Sequence, residues 1–80
     1  MKCSIKAFGI SKEIVGSKLL EIELPADFTI SDLKKELLQR YPAFVNLKSL
    51  YVALNNEYAN ESMIIKEGDE IALIPPVSGG

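Results

Sequence analysis

An α+β fold, with one long helix laid over one face of a small mixed sheet, follows from three features of this 80-residue chain. Short stretches near both ends alternate apolar and polar residues, which is the period of half-buried strands. One segment, beginning at Thr29, carries apolar residues at spacings of three and four, the period of an amphipathic helix. Glycine, proline and asparagine punctuate the chain between these stretches. A sheet with a helix on one side is a standard two-layer solution for burying such elements.

From Lys2 to Phe8, Cys3, Ile5 and Ala7 alternate with Ser4 and Lys6, predicting a first strand in which Cys3 is a buried structural thiol. Gly9 and Gly16 bracket Ile10 to Val15, whose apolar residues at i, i+4 and i+5 predict one or two helical turns. Leu20, Ile22 and Leu24 alternate with Glu21 and Glu23 until Pro25 ends the run, giving a second strand paired with the first. Thr29 stands three residues before Asp32, a capping-box spacing, and Ile30, Leu33, Leu37 and Tyr41 form the apolar stripe of the helix that follows. Pro42 ends it, because the residue before a proline is pushed out of helical geometry.

A loop is expected around Ala43 to Ser49. Leu50 to Leu54 is apolar almost throughout and is expected to be a strand that is central or covered on both faces. Asn55-Asn56 suits a type I′ reversal into Glu57 to Ala59, and Gly68-Asp69 turns the chain into a last strand from Glu70 to Ile74. The order strand, strand, helix, strand, short strand, strand corresponds to a β-grasp fold, with a mixed sheet of four to five strands and one main helix packed on one face. Residues 1–74 make this domain, and residues 75–80 make an extended C-terminal tail.

A domain this short buries only about 60% of the surface its unfolded chain exposes, which leaves little room for an enclosed active site. No apolar run approaches the roughly 20 residues of a membrane-spanning helix, and Met1 to Phe8 lacks the continuous apolar stretch of a secretory signal, so a cytoplasmic location is expected. The net charge of −2, with nine scattered Lys and Arg, gives no footprint for nucleic acid. With one cysteine and no histidine, disulfide and metal chemistry are not expected, and Cys3 has no base to activate it as a nucleophile.

The tail Pro75-Pro76-Val77-Ser78-Gly79-Gly80 is the segment that no core requires. Two prolines fix φ and direct the chain outward, and two glycines carry no side chain to obstruct a narrow channel. Six residues reach about 20 Å at roughly 3.3 Å each, far enough to place a terminal carboxylate inside another protein. The chain holds no histidine base, no paired carboxylates at a recognisable spacing and no Gly-rich phosphate loop, which leaves the carboxylate of Gly80 as its credible reactive group.

Over nearly its whole length the chain resembles the family of molybdopterin synthase small subunits, ubiquitin-like sulfur carriers. The resemblance rests on Phe8-Gly9 with Lys12 to Gly16, the Thr29 helix start, Ala53 to Asn56, Gly68 to Ala72, and the double proline ahead of the terminal glycines. Lys12 stands where the family often has arginine, and lysine cannot form the same bidentate fork.

The resemblance implies a non-catalytic subunit that acts as a sulfur-donating co-substrate. Gly80 would be adenylated by an ATP-consuming, E1-like partner, converted to a thiocarboxylate with sulfur from a sulfurtransferase or cysteine desulfurase, and inserted with Pro75, Pro76, Val77, Ser78 and Gly79 into the large subunit of the synthase. There it would give sulfur to a cyclic pyranopterin precursor. No cofactor would be bound by the chain itself, and neither nucleic acid nor membrane is among the implied partners. By positional match, Phe8, Tyr58 and Ile74 would face the partner near the tail exit, with membership of the core as the alternative. Three other functions remain open on the sequence: a ubiquitin-like protein modifier, a carrier for thiamine or another sulfur-containing product, and an interaction domain with an idle tail.

Overall fold

The computed structural model describes residues 1–46 and 50–74. Five strands form one sheet in the order β2-β1-β5-β3-β4, where β1 is Lys2–Ala7, β2 Leu19–Glu23, β3 Tyr51–Leu54, β4 Glu57–Tyr58 and β5 Glu70–Ile74. The β1–β5 pair is parallel and the other pairs are antiparallel. One helix, α2 (Ile30–Arg40), covers one face. This is the expected β-grasp arrangement.

The alternation in β1 divides as expected, with Cys3, Ile5 and Ala7 buried and Lys2, Ser4 and Lys6 exposed. Burial pushes the Cys3 thiol pKa up, which keeps it protonated and unreactive. Between β1 and β2 the chain makes the short helix α1 (Ile10–Val15). Gly9 enters it at φ 56°, ψ −131° and Gly16 leaves it at φ 90°, conformations that side chains with a Cβ rarely adopt.

At the start of α2, Thr29 Oγ1 accepts from the Asp32 N–H at 3.1 Å while Thr29 N–H donates to Asp32 Oδ2 at 3.1 Å, closing the capping box. The bonds from the Thr29 backbone and then its side chain hold the Asp32 carboxyl below the usual carboxylate range. Ile30, Leu33 and Leu37 are fully buried against the sheet's Ile5, Ile22, Ile71 and Leu73. Each side chain buried in this way contributes roughly 1.5–3 kcal/mol, so the α2 stripe is a principal source of the domain's stability. Tyr41 leaves helical geometry at φ −131°, ψ 82°, as its position before Pro42 requires.

Two segments fill gaps that the periodicity left blank. Pro42–Asn46 forms a 3-10 turn that buries Phe44 edge-on to Tyr41, with ring centroids 6.1 Å apart. The connection from β4 to β5 runs back past α2, where Ile30 N–H donates to Met63 O and Ile65 N–H to Phe28 O, and it buries Ile65 in the core. Asn55 and Asn56 both take positive φ, 54° and 70°, as the type I′ turn demands. Asn55 also ties that turn to the next one, because its Nδ2 donates to Asp69 Oδ1 and its Oδ1 accepts from Glu70 N–H, both at 3.0 Å.

Of the two placements expected for Leu50 to Leu54, β3 takes the inner one in the sheet, paired with β5 and β4, and it is covered on one face only. Val52 and Leu54 face the core, and Ala53, a small residue between Ala72 and Tyr58 in the sheet, is also buried. Tyr51, however, is half exposed, because β3 has α2 on one face only and the described residues put no second layer on the other.

Candidate functional site

The sheet's outer face, opposite α2, carries the candidate site. With Cys3, Ile5 and Ala7 turned inward, the same parity turns Lys6 and Phe8 outward. In β5, Ile71 and Leu73 face the core, so Ala72 and Ile74 face outward. The register then aligns Leu19, Lys6, Ala72, Ala53 and Tyr58 in one row across all five strands. In the next row Ile74 lies beside Tyr51, and Phe8 follows Ala7, which pairs with Leu73.

Because β1 and β5 are parallel, their C-terminal ends emerge at the same edge of the sheet. Phe8 and Ile74 therefore flank the point where the chain passes from residue 74 to residue 75. A shallow hollow of about 330 Å³ lies there, floored by Phe8, Ala53, Ala72, Ile74 and Tyr58 and edged by Lys6, Asn56 and Glu70. Phe8 is 52% exposed and Tyr58 71%, whereas Ile74 is half-buried. The alternative of core membership is thereby excluded for Phe8 and Tyr58, and all three sequence-derived residues meet in one hollow.

Two further residues extend this apolar face. Tyr51 stacks edge-on against Tyr58 with centroids 5.7 Å apart, and Leu19 continues the row at the β2 edge; both are about half exposed. Their signal in the sequence was parity, since each is out of phase with inward neighbours, Val52 for Tyr51 and Ile22 for Leu19. Exposed aromatic and aliphatic side chains gathered in one patch mark a protein-binding surface more often than a soluble monomer's ordinary exterior.

Gly80 and the tail residues Pro75, Pro76, Val77, Ser78 and Gly79 lie outside the described residues. Among the described residues no group of three or more His, Cys, Asp or Glu is placed to hold a metal ion, and no helix is long and apolar enough to cross a membrane.

This sheet, its single covering helix and its exposed apolar face define a ubiquitin-like β-grasp domain. The chain belongs to the ThiS family, whose model matches residues 5–80. It is 33% identical over 81 aligned positions to the molybdopterin synthase sulfur carrier subunit of Arabidopsis thaliana, covering 100% of this chain and 84% of that protein. Among solved structures it is similar to small archaeal modifier protein 1 of Haloferax volcanii, with TM-score 0.83 and 29% identity over the whole of both chains. A complex of subunits 1 and 2 of the molybdopterin-converting factor from Helicobacter pylori contains a chain that matches with TM-score 0.68 and 26% identity, again over the whole of both.

Proposed function

We propose that this chain is the sulfur carrier subunit of molybdopterin synthase and that its chemistry takes place at the carboxylate of Gly80. The observation that carries the reading is the apolar hollow of Phe8, Tyr58 and Ile74 at the edge where the chain enters its tail. A partner seated on that hollow is positioned to receive residues 75–80. Kinship with sulfur carrier subunits, and likeness to a chain from a complex of subunits 1 and 2 of a molybdopterin-converting factor, support the synthase large subunit as that partner.

An α-carboxylate with a pKa of about 3.5 is ionised at neutral pH and is a poor electrophile. Activation therefore precedes transfer. An adenylating partner joins the Gly80 carboxylate to AMP, releasing pyrophosphate from ATP; the persulfide of a sulfur donor displaces AMP to form an acyl disulfide, and a second thiol cleaves its S–S bond, leaving the thiocarboxylate on Gly80 and a disulfide on the donor side. The dependence on ATP favours the cytoplasm as the site of this step. In the large subunit the terminal sulfur displaces an oxygen-linked leaving group from a carbon of the pterin precursor, water hydrolyses the resulting thioester so that the sulfur stays on the pterin, and the carrier departs with its carboxylate restored. This chain contributes the docking face and the unhindered tail, and the partners supply the acids, bases and nucleotide site.

The test is Gly79→Val, which leaves the β-grasp domain folded by circular dichroism and abolishes sulfur transfer to the precursor in the reconstituted synthase. Near-normal molybdopterin formation by this variant would overturn the requirement for a bare tail. Intact mass spectrometry of the protein isolated from its own cells should show one oxygen-for-sulfur increment.

A second reading, a protein modifier joined through Gly80 to lysines of target proteins, draws support from the likeness to small archaeal modifier protein 1. Higher-mass conjugates that vanish when Gly80 is deleted would favour it over the carrier.

A further inference from the structure

On the β2 side of Phe8 the outer face holds a second groove, separate from the tail-exit hollow but sharing Phe8 and Lys6 with it. We infer that this groove is an electrostatic docking site for a carboxylate-bearing, partly apolar segment of the synthase large subunit, the inference resting on the carrier reading above.

The groove, of about 540 Å³, is floored by Phe8 and Leu19 and ringed by Lys6, Lys12 and Lys18. Three different elements supply the lysines. Lys6 projects outward from β1 beside its strand partner Leu19, Lys12 lies in α1, and Lys18 is held at the rim by its carbonyl, which accepts from Ala7 N–H at 2.9 Å. All three are exposed, and among the described residues no carboxylate side chain lines the groove.

That concentration runs against the chain's overall charge of −2. The ion pairs among the described residues join Met1 to Glu23, Lys34 to Glu61 and Arg40 to Glu36, so the groove lysines take no part in them. Like charges held together repel one another, and an anionic partner relieves that repulsion. The floor decides which anion fits. Phe8 and Leu19 are each about half exposed, and only a ligand with apolar surface of its own covers them, which selects a protein segment over a free phosphate.

Continuity identifies the protein. Because Phe8 borders both depressions, a body seated over the tail-exit hollow reaches the lysine rim without leaving the sheet face. The lysines then act mainly on the encounter: complementary rim charges raise the association rate and make it depend on salt, while the apolar floor governs dissociation.

The experiment measures association and dissociation rates of the full chain with the synthase large subunit, at low and high salt. A triple variant, Lys6→Glu, Lys12→Glu and Lys18→Glu, should slow association about tenfold or more at low salt, with the difference shrinking toward high salt. Leu19→Ser should speed dissociation a few-fold and leave association nearly unchanged. Lys35→Glu, a single reversal on exposed α2 surface, serves as control for each of the three groove reversals made singly, and neutral Lys→Gln replacements provide a milder series should the triple reversal fail to fold. If the groove variants match Lys35→Glu in rate and salt dependence while Tyr58→Ala still weakens binding, the inference fails and the carrier reading stands. If the wild-type chain does not bind the large subunit at all, both fail.

Discussion

Ile71 and Ala72 are neighbours in β5, yet one is sealed beneath α2 and the other lies in the floor of an open hollow. The same contrast runs through the whole sheet. The inner face meets a helix stripe of Ile30, Leu33 and Leu37 that buries Ile5, Ile22, Ile71 and Leu73, whereas the outer face presents Phe8, Leu19, Tyr51 and Tyr58 to solvent. Both faces come from one alternation and are similarly apolar near the tail exit. What separates them is that the inner face finds its covering layer within the chain, whereas the described residues lay nothing over the outer face. Apolar content alone therefore does not locate a core in a domain this small; the covering layer does.

Substitutions can sharpen or break that division. The largest effect belongs to the inner face, where Leu37→Ala should cost about 2–5 kcal/mol, read as a lower urea midpoint with an unchanged slope. On the outer face, Tyr58→Ala should shift stability by no more than about 0.5 kcal/mol while weakening binding to the large subunit at least tenfold, roughly 1.4 kcal/mol. If Tyr58→Ala unfolds the domain, the outer face is a second core and the comparison fails. Thr29→Ala, which opens the capping box and touches neither face, should cost about 1 kcal/mol in urea denaturation and leave binding intact.

The smallest effect concerns the clamp between the two turns at the far end of the sheet. The Asn55 side chain, and then the Lys66 N–H, hold the Asp69 carboxyl below the usual carboxylate range. A carboxyl whose folded pKa is depressed contributes stability that is present above its unfolded value of about 3.9 and is lost as pH falls through the lower folded value. Asp69→Asn should remove that part of the acid sensitivity, seen as a flatter stability profile at the acid end, with no change in binding at neutral pH.

Much of this was legible in the residues. Strict alternation in β1 announced which side chains face the core, the Thr29–Asp32 spacing marked the start of α2, and Asn55-Asn56 marked the reversal, because each is a local rule satisfied by near neighbours. Ile65 and Phe44 were not legible as core. Each is a single apolar residue in an irregular segment, and each is buried by contacts with distant parts of the chain that no period encodes. Tyr51 looked interior inside an apolar run, and only the absence of a second covering layer among the described residues exposes it. For the candidate site, positional match to the family named Phe8, Tyr58 and Ile74, and parity pointed to Leu19, whereas the lysine rim required the folded chain, which brings residues 6, 12 and 18 around one groove.

The parallel pairing of β1 with β5 also bears on how the protein is made. Within this domain β1 is made before the other strands and β5 after them, yet they lie side by side with β5 in the middle of the sheet. Nascent β1 and β2 can pair early, but the sheet cannot close over α2 until residue 74 has been synthesised. A translation product cut short before that point lacks its central strand and remains open to proteolysis. Synthesis thus inspects itself: whatever chain completes this fold has already been extended through residue 74.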